Sequence, residues 1–249
     1  MWRSTVAGAG IFFLIALIWT GWDPMLAQME VQQLGSEPSD WRAARARLLR
    51  RGRGAVLALR GSLGSTEASR RLRCAQSLGL LGEDEADEIL MESLQASSDA
   101  EALMAMELIR ELWNLRNGPP ENEVKELLTE DTKRKESLDL ALTQYYAWTG
   151  GYVARARRHL AEEEARLAVR DALSALLLEP EQFDALVILG RGYAKLGFSE
   201  LGVDCLRQAV RINPRIEPDL AEELEVLQEA ARKERERRLR RRYQNLPLV

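Results

Sequence analysis

FDALVILGRGYAKLGFSELGVDCLRQAVRINP, residues 183–214, is the stretch that decides the fold. It reads as two short helices around Gly197, closed by Asn213-Pro214. Leu189 and Gly190 sit in the middle of the first helix and Tyr193 follows one turn later. Gly202 is the small residue at which the second helix crosses the first, with Leu206 and Ala209 after it. Small residues at 190, 202 and 209 let two helix axes approach closely, so that ridges pack into grooves. Gly197 takes the left-handed conformation that ends a helix, and Pro214 cannot continue one.

This pattern resembles a single tetratricopeptide repeat almost from end to end, with Leu186 in place of the usual Trp. Such a unit cannot bury its apolar face alone and must stack on neighbours. The resemblance implies an all-α protein, an α-solenoid of stacked antiparallel helix pairs. In that family the first helix of each repeat lines a concave groove that holds another protein. Carried onto this chain, the lining positions are Asp184, Val187, Arg191, Ala194 and Lys195. Ile188 and Arg191 replace the Asn residues with which some members clamp a C-terminal carboxylate, so that mode of recognition is not implied.

A degenerate unit precedes it at 137–180, where Leu142, Tyr146, Gly150 and Tyr152 have similar spacing. It passes into one helical run from about Val153 to Leu178, ended by Glu179-Pro180. Residues 41–113 are self-similar at about 31 residues: Ala44, Ala75 and Ala105 correspond, as do Leu48, Leu78 and Leu108, Gly52 and Gly82, Ala55 and Ala86, Leu59 and Leu90, and Leu63 and Leu94. This resembles HEAT-type repeats, with an N-cap supplied by Ser97-Ser98-Asp99.

The sequence therefore predicts five regions: 1–27 a signal-anchor or signal peptide, 28–40 an acidic juxtamembrane linker, 41–128 HEAT-like repeats, 129–217 tetratricopeptide-like repeats, and 218–249 a capping helix with a basic tail. NLRNGPPENE at 114–123 and TEDTKRKE at 129–136 are the internal breaks.

The 19 residues from Ser4 to Trp22 carry no charge. At ~1.5 Å per residue they span roughly 28 Å, the thickness of a bilayer's hydrocarbon core. Trp2, Trp19 and Trp22 stand where interfacial aromatics belong, and Arg3 precedes the segment while Asp23, Glu30, Glu37 and Asp40 follow it. That asymmetry places the N-terminus inside and the bulk of the chain outside an inner or plasma membrane. The competing reading is a signal peptide cleaved after Ala27, which also exports the globular part.

Composition adds limits. The chain has 249 residues, 46% hydrophobic and 30% charged, which suffices for packed helical cores. A net charge of -4 by itself implies no nucleic-acid partner. Cys74 and Cys205 read as buried free thiols. With one histidine, His159, read as a surface or groove residue, and two distant cysteines, no zinc set is present in the sequence. No Gly-rich phosphate loop or nucleophile elbow appears, so neither catalytic, cofactor nor metal-binding residues are assigned.

Between Arg232 and Arg242 there are eight basic residues and two acids. This basic tail, with Arg237, Arg238, Arg240, Arg241 and Arg242, reads as a solvated helix end or as a surface for anionic headgroups or an acidic partner. A second basic cluster, Arg42, Arg45, Arg47, Arg50, Arg51 and Arg53, lies past the acidic segment. The functional expectation is a membrane-anchored extracytoplasmic scaffold or adaptor that binds a protein partner through its groove, with no enzymatic role. The alternative is a self-assembling structural subunit of an envelope complex.

Overall fold

The computed structural model describes residues 24–35, 38–128 and 135–244, and side chains in all of these except 38, 39, 135 and 241–244. Of the expected membrane or signal segment 1–27, residues 1–23 lie outside the described residues, as do most of the charged joint at 129–136 and the side chains of Arg241 and Arg242, while 24–27 belong to a described helix. Among the described residues the protein is entirely helical, and no helix is long and apolar enough to cross a membrane.

The chain divides into two compact units, one up to Ser93 and one from Leu94 onward. This boundary differs from the expected division at 128: the last helix of the stretch read as HEAT-like, Asp99–Leu115, belongs to the second unit.

The first unit contains α1 (24–33), α2 (Pro38–Arg51), α3 (Arg53–Gly61), α4 (Ala68–Leu80) and α5 (Glu85–Ser93). The apolar positions that recur at about 31 residues form its core: Ala44, Leu48, Ala55 and Leu59, then Ala75, Leu78, Ala86 and Leu90, are all buried. Gly52 and Gly82 both take positive φ, 56° and 84°. At Gly82 the turn closes the helix on its own last carbonyls: Gly82 N–H donates to Gly79 O and Glu83 N–H to Leu78 O.

Much of the stretch expected to be an acidic linker is instead α1. Ala27, Val31 and Leu34 are buried on one face, because their spacing of four and three is helical. Glu30, on the same face, accepts from Arg47 at 3.1 Å and Arg51 at 2.7 Å. Trp41 is buried under three guanidiniums, those of Arg42, Arg45 and Arg73, at 4.7–5.1 Å from its ring centre. Arg45 also donates to the buried Gln76. Much of the first basic cluster is therefore committed inside its own unit.

The second unit holds α6 (Asp99–Leu115), α7 (Glu121–Leu127), α8 (Lys135–Gln144), α9 (Thr149–Ala161), α10 (Ala165–Leu178), α11 (Phe183–Lys195), α12 (Ser199–Ile212) and α13 (Leu220–Gln244). Helices α9 to α13 each pack on the next, and α9 also packs on α11. The pairs α9/α10 and α11/α12 are offset by one constant: helices start at 149 and 183, and at 165 and 199, 34 residues apart in each case, and they end at 161 and 195, and at 178 and 212, again 34 apart. The end geometry repeats too. Glu179 and Asn213, each before a proline, have φ/ψ of −133°/93° and −130°/95°, the extended backbone that a following proline imposes.

The single helical run expected from Val153 to Leu178 is broken at 162–164. Glu163 has φ 62°, Glu164 N–H donates to His159 O and Glu163 N–H to Leu160 O. The same bonds surround Gly197 (φ 80°), from Phe198 to Tyr193 and from Gly197 to Ala194. Glu163 thus occupies a glycine position, which hid the turn from the sequence. Register shifts with it. Ala156 stands for Gly190, Ala168 for Gly202, Ala172 for Leu206 and Pro180 for Pro214, so the first helix of this pair is α9 and not the stretch from 137.

The α11/α12 crossing is tight. A β-carbon at Gly190 would lie 2.8 Å from Leu206 Cγ and 3.0 Å from Gly202 O, and one at Gly202 would lie 2.8 Å from Gly190 O. Two outcomes are expected in thermal unfolding of the full chain. Gly202→Val forces the helices apart and lowers stability by about 1–3 kcal/mol. Glu163→Gly removes left-handed strain from a non-glycine residue and raises stability by roughly 1 kcal/mol. Equal, opposite or null shifts contradict this reading of the two positions.

Candidate functional site

Helix α6 begins at Ser98, whose hydroxyl accepts from Glu101 N–H, as the Ser-Ser-Asp cluster predicts. It touches α7, the next helix, but packs more extensively on α9. It runs across the starts of the repeated helices, in the direction opposite to chain order. Near its N-terminus, Arg215 donates to Asp99 and to the carbonyls of Leu94 and Ala96, and Gln95 donates to the carbonyls of Arg211 and Ile212. In its middle, Arg110 makes a two-pronged pair with Asp184 at 2.9 and 2.7 Å. Trp113 packs on Phe183 with ring centres 5.1 Å apart. At its end, Asn114 O accepts from Trp148 Nε1 at 2.8 Å, and Gly150 leaves the room that Asn114 takes. The contacts at 148–150 and 183–184 fall at equivalent places 34 residues apart, whereas those at 211–215 fall at the end of α12 and in the turn after it.

Burial follows from this. Trp113, Leu112 and Ile109 are essentially without exposure, as are Trp148 and Phe183. The Arg110 guanidinium is opposed by burial, but its bonds to Asp184 more than offset that, and its pKa is raised.

The five positions expected to line a groove fare differently. Asp184 is buried and held by Arg110, and Val187 is buried. Ala194 is half-buried. Arg191 is half-buried between Glu217 and Glu223, at 2.6 and 2.7 Å. The bonds to Glu223, ahead of opposing burial and the bonds to Glu217, raise its pKa. Lys195 is exposed and bonded to Glu163 at 2.8 Å. The start of α11 is thus taken by α6, and Lys195 near its end is the exposed position of the five. In the basic tail, Arg237, Arg238 and Arg240 are exposed on α13 beyond Ala231, the last buried residue among its described side chains. Arg238 pairs with Glu200 at 3.4 Å.

His159, read as a surface or groove residue, is buried. It stands at the position of Tyr193 and forms part of a polar quartet. Its Nδ1 lies 2.6 Å from Glu164 and its Nε2 3.6 Å from Asp171. Asp171, 1% exposed, accepts from Arg155 at 2.6 and 3.1 Å. Displaced by 34, Arg155, His159, Glu164 and Asp171 become Leu189, Tyr193, Phe198 and Cys205. One unit therefore fills with ions and hydrogen bonds the positions that the next fills with apolar groups. Burial opposes the Arg155 charge, but bonds to Asp171 and Asp139 outweigh it and raise its pKa. Glu162 joins His159 and Glu164 in a group whose ligand atoms lie within 4.8 Å of one another, but both acids are exposed and the imidazole is already held. Nothing in the sequence marked this quartet except the 34-residue offset, which becomes readable only once Glu163 is aligned with Gly197.

Both cysteines are free thiols. Burial pushes Cys74 up to about 12. Burial, then the neighbouring Asp204, pushes Cys205 to about 11. Neither is poised as a nucleophile.

The chain matches no model of a known family, no curated protein and no solved structure.

Replacing Trp113 with Ala is expected to cost about 3–5 kcal/mol. Amide exchange should then accelerate through α6 more than through α12; uniform acceleration would show that α6 is not a separately held element. At pH 8 the folded protein is expected to leave Cys74 unalkylated until denaturant is added, since the thiol rather than the thiolate persists there.

Proposed function

We propose that this protein is a membrane-anchored extracytoplasmic scaffold that binds a protein partner through a helical-repeat surface. The reading takes α9/α10 and α11/α12 as units of an α-solenoid of tetratricopeptide type, and α2 to α5 as HEAT-type pairs. The observation that carries it is the constant 34-residue offset of helix bounds and cap geometry between two successive helix pairs. An array of this kind leaves broad helix faces uncovered, and its use is recognition. Exposed apolar side chains on those pairs fit the same reading: Leu173 and Leu177 on α10, 42% and 85% exposed, and Leu201 on α12. The uncharged N-terminal stretch and the acidic residues after it support attachment to a membrane and export of the rest.

The test is purification of tagged full-length protein from native membranes in mild detergent, followed by mass spectrometry. A stoichiometric protein partner is expected. Its recovery should fall about tenfold or more with Lys195→Glu, which breaks only an exposed pair in the protein itself. Recovery of the chain alone, as a discrete oligomer, would replace this reading with a self-assembling structural subunit. A reporter fusion after residue 244 that is active only in the cytoplasm would overturn the export.

A further inference from the structure

We propose that a recessed polar cavity between α6, α9 and α11 binds a small free oxyanion, a carboxylate or phosphate. The cavity measures about 250 Å³ and is lined by Arg110, Asn114, Val153, Arg157, Gln182 and Asp184, among others. That is roughly the share of eight liquid waters, the size of a small anion and not of a peptide.

Its chemistry is one-sided. Gln182 is 2% exposed; its Oε1 accepts from Ala185 N–H as the cap of α11, and its Nε2 donates to no other described residue. Arg110 spends Nε and Nη2 on Asp184, which leaves Nη1 without a protein acceptor among the described residues. The Asn114 side chain is near Gly150 and adds an amide group. Arg157 stands exposed at the cavity and has no hydrogen bond or ion pair with any described residue. The chief acceptor, Asp184, is already filled twice by Arg110. Two guanidiniums against one carboxylate leave the lining with a net charge of +1. Donors in excess of acceptors, a net positive charge and partial exclusion of water select an anion with several oxygens. A cation would face guanidiniums, and an apolar guest would strand the Gln182 amide.

Other features of the molecule are better accounted for. The His159 quartet is internally satisfied, and the α12/α13 groove carries acids and bases in near balance. The cavity stands apart from the partner-binding reading, and either can fail alone.

The probes are inorganic phosphate and succinate, added to the full-length protein in detergent at constant ionic strength while thermal unfolding is followed. At least one should give a saturable rise in Tm of about 4 °C or more. Arg157→Ala removes an exposed, unpaired side chain and leaves the fold intact; the anion concentration for half the effect should rise about tenfold or more. Arg166→Ala, an exposed position on α10 outside the lining, should leave it unchanged. If neither anion gives a saturable rise, or if Arg157→Ala responds as the unaltered chain does, the proposal is overturned.

Discussion

Close approach of two helices at small residues is the constraint from which the second unit follows. Gly190 and Gly202 meet backbone to backbone, and Ala156 and Ala168 stand at the corresponding places one unit earlier. Where the axes come this near, the following turn must reverse the chain within two or three residues, and a left-handed residue is the way to do it. Gly197 does so freely and Glu163 under strain. The tight turn then fixes which faces meet, and hence which residues 34 positions apart become equivalent. In the first unit Gly82 plays the same part between α4 and α5.

The sequence was legible where one residue type alone can do the job. Gly197, Gly202 and the proline at 214 announced α11 and α12. The alanines and leucines at a spacing of about 31 announced the core of the first unit, and Ser98 the start of α6. Reading failed where a residue held a position it does not prefer. Glu163 at a glycine site concealed the turn between α9 and α10, and that moved the whole preceding unit out of register. It failed again where tertiary pairing decided the outcome. The acids after residue 23 looked like a solvated linker, yet Glu30 is the partner that Arg47 and Arg51 need once α1 is laid against α2. Composition sees charges; it does not see which of them face each other.

The exchange of Leu189, Tyr193, Phe198 and Cys205 for Arg155, His159, Glu164 and Asp171 has a physical logic of its own. Apolar groups in consecutive identical units would tolerate slippage of one unit onto its neighbour's place, because every fit would be equally good. A buried Asp171 that needs Arg155 cannot be satisfied by Cys205 or Leu189. The polar quartet therefore marks one unit as the one that follows α8, at little cost while all its bonds are made.

Helix α6 changes what kind of object the two helix pairs make. A plain linear array folds by nearest-neighbour steps, can fray from either end and gains stability unit by unit. Here a helix made early in synthesis has contacts at residues 148, 184 and 215, the last of them 116 positions further on. Until Phe183 leaves the ribosome Trp113 has no ring to pack on, and the start of α6 waits longer still, for Arg215. Such long-range closure slows folding and gives chaperones their window. Once it is complete, it ties α9, α11 and the end of α12 to one helix, so the two helix pairs are expected to melt together and not in sequence.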